Sequence, residues 1–563
     1  MARTPTQPSR AGTVDWPDEV VARYVAEGHW EGRTLTEPIY AAADAAPDAI
    51  AVVDGPQRLS YRALVERADG AALRLRALGL RPDDRIVLQL PNCWEFVVLT
   101  LACLRLGVIP VMGLTAHRRH ELSFLAEHSE ARAIAAPDVM RDFDHQALAH
   151  EVAAGSATIE HVLVLGEQVL PGSVDLRALC RPAEDPAGAR AQLDEAAPDS
   201  RSIALMLLSG GTTGLPKLIA RAHDDYGCYV RNTMQICRFD AGTVSLVLLP
   251  LGHSMPLGTN LAVLRAGGRL VIAASPAPPG VFDVIADEGV TVSAAVPAVL
   301  QRWLEHRESD TSHDLSSMRM LLVGGSRPAD HLARSIAPVL ARVLQQGYGM
   351  AEGLVCLTRP DDPVEVALNS QGRPITTADE LLVVDEAGDP VPLGETGVLL
   401  TRGPCTPRGY YRAPEQNALA FVGDGWLRTG DIVRVRPDGN VVIEGRDKDM
   451  INRGGEKVSA EEVESFAYRV PGVRLAAAVA MPGGELGERV CLYVVPRAGV
   501  TVELADVQDV MRAEGVARFK LPERLVLVDS LPSTNIGKID KKALRADITD
   551  RLAAEQALDV PAA

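Results

Sequence analysis

Several common devices are missing from this sequence. It has eight cysteines, Cys93, Cys103, Cys180, Cys228, Cys237, Cys356, Cys405 and Cys491, but no CxxC pair and no cysteine–histidine cluster at zinc spacing. That argues against a disulfide framework or a cysteine-based metal site, and the expectation is eight reduced structural thiols in a reducing compartment. No apolar run approaches the roughly 20 residues that cross a bilayer. The first stretch, MARTPTQPSRAGTVDWPDE, lacks the apolar core of a secretory leader, so the chain is expected in the cytoplasm. Positive charge is short as well. Against 74 Asp and Glu stand 57 Lys and Arg, a net charge of −17. Such a chain is a poor nonspecific binder of nucleic acid or anionic membrane, and any phosphate site has to be built locally.

The 563 residues are too many for one hydrophobic core, and the 47% hydrophobic and 23% charged composition is that of an ordinary globular protein. The first fifteen or so residues, polar and Pro-rich, are expected to form a loose tail. From Ala49 onward, short apolar runs alternate with helical patterns. AIAVVDG (Ala49–Gly55) and RIVLQLPN (Arg85–Asn92) read as strands. Between them Leu64, Val65, Ala68, Ala71, Ala72 and Leu75 repeat at helical spacing, with Gly79 where a helix would stop. ALMLLSGG, VSLVLLPLGH, VTVSAAVP and MRMLLVGGS are further apolar runs ending in loops. This alternation predicts α/β architecture with a largely parallel sheet and ligand loops at strand ends.

Residues 380–438 differ, with Gly, Pro and short β-prone runs that predict a small β-rich subdomain. After GRDKD (Gly445–Asp449) the order helix, strand, strand, helix, strand predicts a compact separate unit. The expected fold class is α/β: a large N-terminal domain of stacked α/β subdomains plus a small β-rich one (residues 1–446), followed by a small mobile α+β C-terminal domain (residues 447–563). No internal repeat is visible, and the short stretch after Lys542 leaves no expected room for a carrier-protein domain.

The strongest local signal is LLSGGTTGLPKLI (Leu207–Ile219). Glycines let backbone N–H groups approach a phosphate, and Thr hydroxyls and a Lys can offset its oxygens. The spacing is not that of a P-loop, and by itself such a loop could be an ordinary turn. It resembles, however, the signature phosphate loop of the adenylate-forming superfamily, which holds acyl-CoA synthetases, peptide-synthetase adenylation domains and luciferases. Four further segments match that family in order: YGMAE (Tyr348–Glu352), TGD (Thr429–Asp431), GRDKDMINRGGEKVSAEEVE (Gly445–Glu464) and LPSTNIGKIDKKAL (Leu531–Leu544).

The resemblance implies roles. Ser209, Gly210, Gly211, Thr212, Thr213, Gly214 and Lys217 would hold the ATP phosphates. Gly325, Tyr348, Gly349 and Met350 would contact the nucleotide, with Tyr348 stacking on adenine. Asp431 would accept both ribose hydroxyls, reinforced by Arg446. Glu352 would hold Mg²⁺, a hard cation suited to carboxylate oxygen. Lys538 would bridge substrate carboxylate, ribose and α-phosphate, a cation where two anions must meet. Its neighbours Lys541 and Lys542 read as solvated surface lysines. His253 joins the catalytic set. Lys448 would be the hinge on which the C-terminal domain turns for a thiol step, and Gly454 and Gly455 would line a pantetheine tunnel.

Within the superfamily, EGHWEGRTL, QLPNCWEFV, RAHDDY, GYGMAEGLV and INRGGEKVSAEEVE are similar to the stand-alone aryl acid–AMP ligases, such as the dihydroxybenzoate–AMP ligases of siderophore pathways. The acid pocket implied is His253, Ser254, Met255, Thr259, Gly324, Ser326, Gly347, Ala351 and Val355. It departs from that subfamily. Ser254–Met255 stands where siderophore enzymes carry Asn–Tyr, Gly347 where Val is usual, and Ser326 where Ala is common. The first two changes are expected to open room for a substituted or bicyclic aryl acid. The expected reaction is activation of that acid to aryl-AMP, then transfer to the phosphopantetheine thiol of a carrier protein, or alternatively to free CoA. A homodimer is compatible with the sequence.

Overall fold

In the computed structural model, residues 10–209, 216–325, 327–328, 330–385, 387–446, 449–453, 456–482, 488–514, 516, 520–533 and 539–558 are described, without the side chains of 331, 338, 446, 452–453, 456–457 and 556–558. Two sheets carry most of the chain. A seven-stranded sheet runs in the order Leu218–Ala222, Ile203–Leu208, Ile109–Met112, Arg85–Leu88, Ala133–Pro137, His161–Leu165, Val174–Asp175. A nine-stranded sheet runs Arg373–Pro374, Val355–Leu357, Val343–Gly349, Met320–Val323, Val292–Ala295, Val244–Val247, Arg269–Ile272, Ile50–Asp54, Gln57–Ser60. Both are parallel through their centres and antiparallel only at edges.

Strand alternation explains the layering. Ile86 and Leu88 face one cluster and Val87 another, and Val52 and Val53 part in the same way. The shared cluster lies between the two sheets and takes in the helices Tyr61–Ala77, Trp94–Leu106, His223–Cys237 and Ser254–Arg265. The helix Trp94–Leu106 is buried from Glu95 to Leu106, which is why WEFVVLTLACLRL is apolar nearly all round. Cys93 Sγ caps its first turn and Gly107, at φ +78, ends it. The outer faces are covered by separate helices, among them Gly280–Glu288 and Pro297–Ser309 on the nine-stranded sheet.

The β-rich segment is an antiparallel sheet of Glu380–Val384, Thr396–Arg402, Phe421–Val422, Trp426–Val435 and Val441–Arg446. Beyond it come the hairpin Met450–Arg453/Glu456–Ser459, the helix Ala460–Ala467, the strands Val473–Pro482 and Glu488–Pro496, the helix Leu504–Ala513, the strand Arg524–Leu527 and the helix Lys541–Leu558. Its two clusters draw only on residues from Ile451 onward.

Two expectations are corrected. The loose tail does not extend to residue 15: Arg10 pairs with Asp15 at 3.0 Å and lies over Trp16, which is buried edge-on against Trp30. Lys541 is not a solvated lysine. Its Nζ lies 2.7 Å from Glu464 and its side chain is 16% exposed. All eight cysteines are free and buried. No helix among the described residues is long and apolar enough to cross a membrane.

Candidate active site

Loops that leave the carboxyl ends of parallel strands gather along one edge of a sheet, where ligands bind. Four consecutive neighbours of the nine-stranded sheet run parallel and deliver the predicted residues there. His253 is the N-cap of the helix Ser254–Arg265 after the strand Val244–Val247. Gly324 and Gly325 follow Met320–Val323. Tyr348 and Gly349 end the strand Val343–Gly349, and Met350 to Leu354 form a turn closed by Met350 N–H to Leu354 O at 3.1 Å.

The other sheet contributes a hairpin. Ile203–Leu208 and Leu218–Ala222 pair antiparallel. At the base of their loop the Ser209 N–H donates to Lys217 O, and the Lys217 N–H donates to Ser209 Oγ, both at 3.0 Å. The rungs between, Gly210, Gly211, Thr212, Thr213 and Gly214, lie outside the described residues, as do Ser326, Lys448, Gly454, Gly455, Lys538 and the side chain of Arg446.

Three contact chains bind these pieces together. In the first, Lys217 Nζ lies 4.7 Å from the centre of the Tyr410 ring, and Tyr410 Oη donates to Glu352 Oε1 at 3.0 Å. Burial, and then the Glu352 charge, push the Tyr410 phenol up, so it stays a donor. In the second, Tyr348 Oη donates to Asp431 Oδ2 at 2.7 Å. Thr429 Oγ1 accepts from the Asp431 N–H at 3.0 Å and donates to Leu399 O at 2.9 Å, fixing the TGD turn. Asp431 faces Arg446 across two antiparallel strands. In the third, the buried Arg221 donates from Nη1 to Ala351 O at 2.8 Å, from Nη2 to Cys405 O at 2.7 Å and from Nε to Asp225 Oδ1 at 2.6 Å.

Tyr410, Arg221 and Asn92 were not among the residues expected from the sequence. Asn92 holds the approach to His253: its Nδ2 donates to Leu249 O at 3.0 Å, and its Oδ1 accepts from the Leu251 N–H at 2.8 Å. Arg221 and Asn92 sit inside RAHDDY and QLPNCWEFV, so their segments were visible but not their roles.

The acid pocket departs from expectation at one point. The room expected at Gly347 is not open, since a Cβ there would meet Leu357 Cδ2 at 2.8 Å and Leu322 Cδ1 at 3.4 Å. Leu357 has taken that space. A Cβ on Gly324 would meet Met255 Sδ at 2.7 Å, so Gly324 admits the Met255 side chain. Tyr226 Oη donates to Ser254 O at 3.0 Å, holding the turn that presents Met255. Thr259 is buried on the same helix, and Ala351 and Val355 are half-buried.

The C-terminal unit reaches this edge through the helix Ala460–Ala467. Glu461 is half-buried, its Oε2 shielded and without a hydrogen bond among the described residues. Burial raises its pKa to about 7, with Glu464 adding to the rise and Lys541 and Arg327 opposing it. Between the ordinary value of 4.5 and about 7 the folded state keeps a proton that the unfolded chain has lost. This contribution to stability is therefore full below the lower value and lost as pH rises through the upper one. Melting curves from pH 5 to about 7.5 should fall with pH more steeply for the native chain than for Glu461→Gln. Parallel curves would refute the raised pKa.

Comparison with known proteins places the chain. The AMP-binding enzyme family matches residues 39–411, and the AMP-binding enzyme C-terminal domain matches residues 462–538. A 2-hydroxy-7-methoxy-5-methyl-1-naphthoate–CoA ligase of Streptomyces carzinostaticus is 55% identical over 97% of this chain and 99% of its own. A salicylyl-CoA synthase / salicylate adenylyltransferase of a Streptomyces species is 55% identical over 95% and 98%. The apo structure of MbtA from Mycobacterium smegmatis superposes with a TM-score of 0.73 at 40% identity, covering 96% of this chain and all of that one. The chain belongs to the AMP-binding enzyme family and is one of its adenylate-forming ligases.

Proposed function

We propose that this enzyme activates an aromatic carboxylic acid as its aryl-AMP and passes the acyl group to a thiol. The observation that carries the reading is the meeting at one sheet edge of the Ser209–Lys217 loop base, the Tyr410–Glu352 pair and the Tyr348–Asp431 pair. A carboxylate oxygen attacks the α-phosphorus of ATP, and the bond to the bridging oxygen breaks, releasing pyrophosphate. In this reading Asp431 holds the ribose hydroxyls and Tyr348 stacks on adenine. Glu352 fits a hard cation: it is a half-buried carboxylate whose Oε1 is oriented by Tyr410. Mg²⁺ bound there would neutralise phosphate charge. Lys217 adds a second cation beside Tyr410. The chain then divides into a core of residues 1–446 and a unit of residues 447–563 that turns at Lys448 for the thiol step.

The aromatic assignment is supported by two relatives at 55% identity whose printed substrates are a naphthoate and a salicylate. The wall of the pocket that can adapt is Met255, an unbranched side chain resting on Gly324. Ser254, the first residue of the same helix, would meet an ortho hydroxyl of the acid. ATP–pyrophosphate exchange with salicylate, 2,3-dihydroxybenzoate and a 2-hydroxynaphthoate tests this. We expect salicylate or a substituted or bicyclic acid to outrun 2,3-dihydroxybenzoate, and Met255→Ala to move the preference toward the bicyclic acid by about tenfold, the scale of one side-chain change in an apolar pocket. A clear preference for 2,3-dihydroxybenzoate, or no response to Met255→Ala, would overturn the pocket assignment.

Two acceptors follow from this chemistry. One is the phosphopantetheine thiol of a carrier protein. The other is free CoA, favoured by the names of the same two relatives. Acyl-CoA formed at a rate matching exchange, with no carrier present, would select CoA.

A further inference from the structure

On the outer face of the nine-stranded sheet, away from every residue assigned above, the segment HRESDTSH spans the last turn of the helix Pro297–Ser309 and the loop beyond it. His306, Asp310 and His313 there each offer one ligand atom, all within 4.8 Å of one another. Asp310 Oδ2 lies 3.5 Å from His306 Nε2 and 3.6 Å from His313 Nδ1. A tetrahedral cation with ligands about 2.0–2.1 Å away separates its ligand atoms by roughly 3.3 Å. Two edges of such a tetrahedron are thus nearly drawn.

The surroundings prepare each ligand. His313 Nε2 lies 3.1 Å from Asp283 Oδ1, on the neighbouring helix Gly280–Glu288. Donation to that carboxylate fixes the proton on Nε2 and leaves the Nδ1 lone pair facing Asp310. Histidine ligands are commonly oriented by a carboxylate in this way. Asp310 Oδ1 accepts from the Ser312 N–H at 2.8 Å, which turns Oδ2 toward the two rings. His306 Nε2 is shielded from solvent and, among the described residues, has no hydrogen-bond partner. The buried Phe282 ring lies 5.7 Å from the His306 ring and 5.8 Å from that of His313, bracing both. Ser312 Oγ, 3.3 Å from His313 Nδ1, would have to rotate away. Arg307 Nη1 donates to His313 O at 3.0 Å, holding the loop from its other side.

We propose that His306, Asp310 and His313 form a binding site for a borderline divalent transition cation, zinc in the first instance, with Asp283 orienting His313. Two imidazoles and one carboxylate are donors that suit zinc and its neighbours and ill suit Mg²⁺. Three protein ligands leave a fourth position for water. The ion would tie the helix Gly280–Glu288, the end of the helix Pro297–Ser309 and the loop that leads into the strand Met320–Val323. Its role is that of a staple beneath the strand whose far end carries Gly324 and Gly325.

The test uses the tag-free full-length chain in Mg²⁺ buffer. Co²⁺ is titrated in, its visible d–d absorption is followed, and Zn²⁺ is then used to displace it. One tightly bound Co²⁺ per chain with a tetrahedral spectrum is expected, together with a rise in Tm on adding Zn²⁺. His306→Gln and His313→Ala should abolish the spectrum. Asp283→Asn should weaken binding by about 10–100-fold, the usual effect of removing such an orienting partner. Pyrophosphate exchange, which should be unchanged in His306→Gln, verifies that the variant is folded. Failure to bind Co²⁺ in the native chain, or binding that survives His306→Gln, would overturn the site.

Discussion

Lys538→Ala is expected to abolish acyl-adenylate formation while ATP still binds. The carboxylate and the α-phosphate that must meet are both anionic, and two unit charges 4 Å apart oppose each other by about 4 kcal/mol at the effective dielectric near a protein surface. A cation between them acts most strongly as the new bond forms, so its loss falls on the chemical step. Removing one such group typically costs about 10²–10³-fold in rate, and pyrophosphate exchange should fall by at least that much. Retention of ATP–Mg²⁺ binding, read as a ligand-induced rise in Tm, separates this from unfolding. Lys538 lies outside the described residues, and its assignment rests on the resemblance of LPSTNIGKIDKKAL. The neighbouring Lys541 provides the control. It is committed to Glu464, so Lys541→Ala should lower stability and leave exchange nearly intact. If the two variants exchanged their effects, the lysine would have been misassigned.

The second large effect is expected at Arg221. The side chain is 1% exposed and its partner Asp225 is fully buried. Asp225 also accepts from the Ala222 N–H at 2.8 Å. Arg221→Ala leaves this carboxylate buried without its cation and strips donors from Ala351 O and Cys405 O. Breaking a buried pair from one side costs about 3–5 kcal/mol. A markedly lowered unfolding midpoint is expected, together with reduced exchange, because Ala351 precedes Glu352 in the turn that carries it. Arg221→Met combined with Asp225→Leu should lose less than the two single changes summed. A Tm within a degree of native for Arg221→Ala would show that the network bears no weight.

The strands read from the sequence, such as Ile50–Asp54 and Arg85–Leu88, were legible because each is a short apolar run, and in this architecture such runs are largely buried. Tyr61–Ala77 was legible for the complementary reason, a stripe at helical spacing. What could not be read was pairing. Nothing in Ile50–Asp54 says that it joins Arg269–Ile272, more than two hundred residues away. The site shows the same division. Local strings announced Tyr348, Glu352 and Asp431. Tyr410 meets Glu352 across 58 residues and Arg221 meets Cys405 across 184, distances at which a string carries no signal. Gly347 misled because residue size says how much volume is released and not which neighbour takes it, here Leu357. Lys541 misled because a lysine beside two charged residues looks solvated until the helix Ala460–Ala467 brings Glu464 to it.

The buried cysteines acquire a different meaning in an enzyme of this kind. A mixed anhydride of a carboxylic acid and AMP acylates any thiolate it meets, so a protein that makes one is exposed to its own product. Only the thiolate reacts at a useful rate. Burial pushes the thiols of Cys93, Cys103, Cys180, Cys237, Cys356 and Cys491 upward, those of Cys237 and Cys491 to about 12. Cys356 is paired across the strands with Tyr348. It is fully shielded from solvent and stays protonated at neutral pH. These six buried thiols therefore offer an acyl-adenylate little thiolate to acylate at neutral pH.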